Sequence, residues 1–252
     1  MTTIVFLGFG NVNFHLINTL YKHNKDSVIQ VYNRSEINLN KELNKIPFTT
    51  DLSKIKEADL YIIGIPDDAI AAFSETLPLK NKLVVHTSGS VSMEALSKRN
   101  RKGVFYPLQT FSKNREVNFN TIPICIEAKE EADLELLTNL GKSLSEKVVE
   151  IDSDERSKLH LAAVFVNNFV NHLYAIGDDI LGNNELSFDL LHPLIEETAS
   201  KVKTLSPSEV QTGPARRGDQ KTIEKHLHLL KEGPESELYQ QLTESLMKKF
   251  DR

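Results

Sequence analysis

Short apolar, β-branched runs recur through the first half of the chain, at 4–7, 28–32, 60–65, 83–86, 104–106 and 122–126. Stretches with helical spacing lie between them, at 12–21, 67–76 and 130–144. Strands alternating with helices predict a parallel, doubly wound sheet covered on both faces. The pattern changes near 148–151. From Asp152 to Leu181 there is no proline and no strand signal, and Asp152 with Glu155 three residues on reads as a capping box. The spacing predicts one helix of roughly thirty residues, about 45 Å long, stopped at Gly182-Asn183-Asn184. Further helices are expected at 188–204, 219–231 and 234–250. The fold class is therefore α/β at 1–151, followed by an all-helical region at 152–252.

The long helix is apolar around most of its circumference, through Leu159, Ala162, Ala163, Val166, Phe169, Val170, Leu173, Ile176 and Ile180. About a hundred helical residues can hardly bury all of that, and helices apolar nearly all round sit in a core or against a partner. A homodimer built through this region is expected, the alternative being complete cover by the later helices.

The first strand runs directly into Gly8-Phe9-Gly10-Asn11-Val12-Asn13 and then into a helix. That order presents free N–H groups and the positive end of a helix dipole at the sheet mouth, where a pyrophosphate is favoured. Gly8 permits the tight turn and Gly10 allows close backbone approach, with Asn11 and Val12 opening the helix. Asn13 stands where the fingerprint has a third glycine. The N-terminal region thus reads as a Rossmann dinucleotide-binding domain. Strand two ends in Asn33-Arg34-Ser35. No carboxylate is present there to repel a 2′-phosphate, and the guanidinium can pair with one, so the expected cofactor is NADP. A plain turn is the alternative.

Two more strand ends fall on the same sheet edge: Pro66-Asp67-Asp68, which can open a helix, and His86-Thr87-Ser88, near where a nicotinamide would lie. Capping or turn roles are the alternative for each. Gln109 follows another strand end. On the long helix, His160, Asn167, Asn168 and Asn171 fall within a wedge of about 100° if the helix is regular. Asn168 and Asn171 are close enough along the axis to share one substrate, whereas His160 lies about 12 Å away. A buried polar network is the other reading. Arg216 and Arg217 could grip an anion, or be solvated while Asp219 caps the next helix.

Composition narrows the classes. A net charge of −5 argues against a nucleic-acid partner. One cysteine, Cys125, fits a reducing cytoplasm. The run at 4–7 is too short for a secretory signal, and no apolar run approaches membrane-spanning length. No metal is expected, since His226 and His228 lack helical ligand spacing.

Taken together, Gly8–Leu16, His86–Ser90, Tyr106-Pro-Leu-Gln-Thr-Phe111, Ala162–His172 and Thr212–Asp219 resemble the bacterial family that joins a Rossmann-like domain to domain of unknown function 2520. That family is labelled an NADP oxidoreductase of the deazaflavin-dependent type. The resemblance implies a helical C-terminal dimerisation domain of 6-phosphogluconate-dehydrogenase-like layout, related to pyrroline-5-carboxylate reductase and the β-hydroxyacid dehydrogenases. Tyr106 departs from the family's usual histidine, and the dehydrogenases' catalytic lysine four residues before an asparagine is missing.

The expected activity is NADPH-dependent reduction of a small carbonyl or imine in a pocket between the domains. Asn168 and Asn171 would orient the substrate, and His86, Gln109 or His160 would supply a hydrogen bond or proton. Thr87 and Ser88 join the cofactor set. A ketopantoate-type reductase, whose acid would suit Arg216, is an alternative, as is a non-catalytic NADP-binding sensor or assembly protein.

Overall fold

The computed structural model describes residues 2–37, 43–182 and 185–250. The chain divides into two compact units, Met1–Asn167 and Asn168–Arg252, so the division falls inside the long helix. Asn183 and Asn184, where that helix was expected to stop, lie outside the described residues.

The first unit is built on an eight-stranded sheet in the order β3-β2-β1-β4-β5-β6-β7-β8. The strands are β1 (Ile4–Leu7), β2 (Val28–Tyr32), β3 (Phe48–Thr49), β4 (Leu60–Ile63), β5 (Leu83–His86), β6 (Arg101–Pro107), β7 (Ile124–Ala128) and β8 (Val148–Glu150). Neighbours run parallel throughout except β6 and β7. That pair corrects the all-parallel expectation. Only a short turn of 3-10 helix, Phe119–Thr121, lies between these two strands. Without a crossover helix the chain returns antiparallel.

β3 and β8 were not recognised as strands. Two or three residues long and only half-buried, they carry too little pattern to separate from loop. The central strands are the opposite case. β1, β4 and β5 are buried at every position, as expected where both faces of a sheet are covered.

Three helices pack on the sheet: α1 (Asn11–His23), α2 (Asp67–Thr76) and α3 (Glu131–Leu144). α1 buries Leu16, Ile17 and Leu20, residues at helical spacing, against the cluster that contains Ile4, Phe6 and Val28. α4 (Ser153–Ala163) opens with the expected capping box. Asp152 accepts from the Glu155 backbone N–H at 2.8 Å, and the Glu155 carboxylate accepts from the Asp152 N–H at 3.1 Å.

α4 passes into a π-helical segment, Val164–Phe169, and then into α5 (Val170–Gly182). The π turns correct the wedge argument. Bonds from i to i+5 widen the turn, so a uniform 100° step does not carry across 164–169. The second unit continues with α6 (His192–Lys201), α7 (Pro214–Arg217), α8 (Gln220–Leu230) and α9 (Pro234–Lys249). Among the described residues no helix is long and apolar enough to cross a membrane.

Candidate dinucleotide and active site

The turn from β1 into α1 is shaped by what a side chain would strike. Gly8 has φ +96°, and a Cβ there would come within 2.5 Å of Ile65 and 2.7 Å of the Gly64 carbonyl. At Gly10 a Cβ would meet the same carbonyl at 3.1 Å. Gly10 caps α1 without a side-chain hydrogen bond, so the first N–H groups of the helix remain available to an anion.

Asn13 is fully buried and takes over the packing usually left to a third glycine. Its amide donates to the Gly8 carbonyl at 2.9 Å and, at 3.4 Å, to those of Leu7 and Ile62. The room for it comes from Gly64, where a Cβ would lie 2.3 Å from the Asn13 carboxamide. Helix and sheet are therefore tied by hydrogen bonds rather than by close backbone contact.

Two cavities run along this edge of the sheet. The first, about 390 Å³, is lined by Gly10, Asn11, Val12, Pro66, Asp67, Thr87 and Ser88 among others. The second, about 750 Å³, is lined by Gly8, Arg34, Ser35, Asp68 and Phe73 among others. They share Asn33, Ile65 and Pro66. Every residue expected from sequence to hold the cofactor borders one or the other. Asn33 joins them physically: its carbonyl oxygen accepts from the Phe9 N–H at 3.2 Å, and its amide donates to the Ser35 carbonyl at 2.9 Å. Arg34 and Ser35 are exposed beyond it. A glycine turn with free helix N–H groups, a crevice and an exposed guanidinium thus lie along one sheet edge, a set of groups chemically suited to NADP.

A strap after β6 holds the turn from the other side. Asn11 Nδ2 donates to the Phe111 carbonyl at 2.9 Å, and His15 Nε2 donates to that of Ser112 at 2.9 Å. Lys113 Nζ donates to the Phe9 carbonyl at 2.9 Å and lies 4.7 Å above the Phe9 ring, a cation–π contact. Sequence reasoning missed this strap, because no local pattern links positions a hundred residues apart.

The expected catalytic residues separate. His86 is fully buried at the end of β5. Burial, then the Arg156 guanidinium nearby, lowers its imidazole from 6.5 to about 4, so it is neutral and enclosed rather than poised for a substrate. Gln109 is exposed, and its side-chain carbonyl accepts from the Thr110 N–H at 2.8 Å. His160 is half-buried, and its Nδ1 lies 3.2 Å from the Tyr106 hydroxyl. In the second unit Asn168 and Asn171 are exposed, so they carry no desolvation cost within this chain. Asp219 caps α8 by accepting from the Thr222 N–H at 3.2 Å, while Arg216 lies 4.3 Å over the Phe250 ring. The capping alternative is the one observed there.

Arg156 is the other feature missed. Its side chain is 1% exposed, ion-paired with Glu127, and donates to the Val91 carbonyl at 2.6 Å. The capping box fixes the phase of α4, and the i,i+4 spacing puts Arg156 and His160 on one face. Nothing local marks that face as buried.

The comparisons decide the family. The domain of unknown function DUF2520 matches residues 122–246. The Bacteroides fragilis protein BF3122, described as a "putative NADP oxidoreductase", is 40% identical, covers 98% of both chains and has a TM-score of 0.89. This chain is a DUF2520-family protein. The family protein also shares its fold with more distant structures. Pyrroline-5-carboxylate reductase from Coxiella burnetii is 17% identical over 99% of this chain and 97% of its own, with a TM-score of 0.58. A reductive aminase from Aspergillus terreus, solved with NADPH and ethyl levulinate, is 15% identical over 98% and 93%, with a TM-score of 0.67. Among curated proteins, none matches this DUF2520-family chain.

Proposed function

We propose that this chain is an NADP(H)-dependent oxidoreductase that reduces a small carbonyl or imine compound. The observation that carries it is the pair of adjoining cavities, with Gly10, Asn11 and Val12 at one and Gly8, Arg34 and Ser35 at the other. The 40% identical Bacteroides fragilis protein supports the cofactor, and the reductase and aminase with this fold support the substrate class. Gly10, Asn11 and Val12 hold the pyrophosphate through backbone N–H groups, while Gly8, whose N–H donates to the Tyr32 carbonyl at 2.8 Å, shapes the turn. Arg34 and Ser35 hold the 2′-phosphate, while Asn33 and Pro66 line the path between. Asp67, Thr87 and Ser88 border the nicotinamide end. NADPH supplies a hydride when bound; the protein's part is to bind, orient and manage the proton.

Asn168 and Asn171 carry the substrate-orienting role, and His160 lies nearest to a proton path. The working unit is a homodimer through the helical region. The support is the exposure there of Leu190 at 65%, Leu194 at 63% and Leu205 at 53%, since clustered exposed apolar residues mark interaction surfaces.

The test is fluorescence titration with NADPH and NADH, followed by loss of 340 nm absorbance across a panel of keto acids, ketones and cyclic imines. NADPH should bind more tightly than NADH. Arg34→Ala should weaken NADPH about 10- to 100-fold, the worth of a charge-assisted phosphate contact, and leave NADH nearly unchanged. Equal effects on both would refute the NADP assignment. Tight NADPH binding without turnover on any compound would favour a sensor instead.

A further inference from the structure

The phenol of Tyr106 and the imidazole of His160 form a pair against Gly89, one residue beyond Ser88 of the first cavity. Tyr106, on β6, is 9% exposed and packed among Met93, Val104 and Cys125. Its hydroxyl lies 3.2 Å from His160 Nδ1, with the rings edge to face at 6.2 Å between centroids. Facing both is Gly89, where a Cβ would come within 2.6 Å of His160 Nδ1 and 2.8 Å of the phenol oxygen. Gly89 has ordinary backbone here, so its lack of a side chain serves space rather than conformation. The residue before it, Ser88, lines the cavity. Glycine at 89 therefore keeps a hydroxyl–imidazole pair next to the crevice.

We infer that Tyr106 is the proton donor of the reduction and that His160 resupplies it, a reading that rests on the function proposed above. Other candidates on this edge are less suited: His86 is sealed in β5 and Gln109 has no acidic proton at neutral pH. A carbonyl or imine carbon accepts a hydride from the dihydronicotinamide, which is thereby oxidised by two electrons. The π pair of the C=O or C=N bond moves onto oxygen or nitrogen and forms a bond to the Tyr106 proton as the phenol O–H breaks. The phenol oxygen takes the Nδ1 proton of a protonated His160, leaving a neutral imidazole with its proton on Nε2. His160 is half-buried, so it can recover a proton from water.

Burial, then the Cys125 thiol and the Asp67 carboxylate, push the phenol up to about 12, against an opposing pull from Arg156. The hydroxyl thus holds its proton across the physiological range. Those groups, on β7, α2 and α4, are the titratable neighbours bearing on it, with His160 in direct contact.

Tyr106→Phe keeps the ring and removes only the hydroxyl. It should lower kcat about 100-fold or more, the usual contribution of a positioned acid, with the NADPH dissociation constant changed less than twofold. His160→Gln should lower kcat, with the NADPH dissociation constant changed less than twofold. Independent of turnover, the His160 Cε1–H resonance should move in Tyr106→Phe relative to the parent, because the pair is hydrogen-bonded. Gly89→Ala should disturb the same resonance. Undiminished kcat in Tyr106→Phe, an unmoved resonance, or no turnover by the parent on any of the panel would overturn the assignment. NADPH titration of the parent tells whether the cofactor reading falls with it.

Discussion

The two compact units spend their apolar residues differently. In Met1–Asn167 the apolar positions of the sheet are sealed: Ile4, Val5, Phe6 and Leu7 of β1 and all of β4 are at 0% exposure, and the exposed Leu161, Phe165 and Val166 lie on the helix that ends the unit. In Asn168–Arg252 the described buried apolar residues are Ala215 and Ile223, while Leu190, Leu194, Leu205 and Leu229 are more than half exposed. A sheet with helices on both faces closes its own core, because each strand has neighbours on every side. Helices on their own close a core only when enough of them surround one another. The first unit is thus self-sufficient as a scaffold for a crevice. The second leaves these leucines uncovered within one chain.

The largest test of this contrast is on Arg156, which anchors α4 inside the first unit. Arg156→Ala strands Glu127 without its partner and should cost about 3–5 kcal/mol, the usual penalty for breaking a buried ion pair from one side. Urea unfolding would show it; a loss below 1 kcal/mol would mean the pair is not sealed in solution.

Next is His86. Its pKa near 4 lies below the ordinary 6.5, so the unfolded chain binds more protons between those values. The contribution is fully present above pH 6.5 and is lost as pH falls towards 4, at most about 3 kcal/mol. His86→Asn should flatten stability over that window. An unchanged pH dependence would remove His86 from the sealed core.

Gly64→Ala forces a Cβ against the buried Asn13 amide and should cost about 1–3 kcal/mol by overpacking, with weaker NADPH binding as the turn shifts. Thermal melts with and without NADPH would separate the two effects. The smallest expected effect is on the exposed side. Leu194→Ala should change the stability of dilute, monomeric chains by less than about 0.5 kcal/mol. At high concentration it should lower the melting temperature, since a second copy would cover that residue. A melting temperature independent of concentration in the parent would end the dimer proposal.

Much of the first unit was legible in residue order. β1, β2 and β5 are found at the expected residues, because a buried strand must be a continuous apolar run and these runs are bounded by polar turns. The Gly8–Gly10 turn was legible for a different reason: a positive φ and two close approaches leave glycine alone acceptable. The antiparallel β7 was not legible, since strand direction is set by the path of the connection and not by the strand's composition. The π segment at 164–169 was equally hidden, because its residues suit an ordinary helix.

The site shows the same division. Arg34 and Ser35 were readable because they end a strand whose neighbour carries the glycine turn, and the sheet places such ends together. The strap from Phe111 to Lys113, the Asn13 plug and the Tyr106–His160 pair were not. Each joins residues whose local surroundings are unremarkable, and each exists only once two elements meet.

Sequence alone determined where the central strands and their helices form, which turn must be glycine and which charge waits at the end of β2, since these follow from local sterics and periodicity. Tertiary structure decided which polar groups are sealed and which face the crevice. It made His86 neutral, gave Arg156 its partner and set a phenol against an imidazole, because burial and pairing depend on what long-range packing brings alongside each residue.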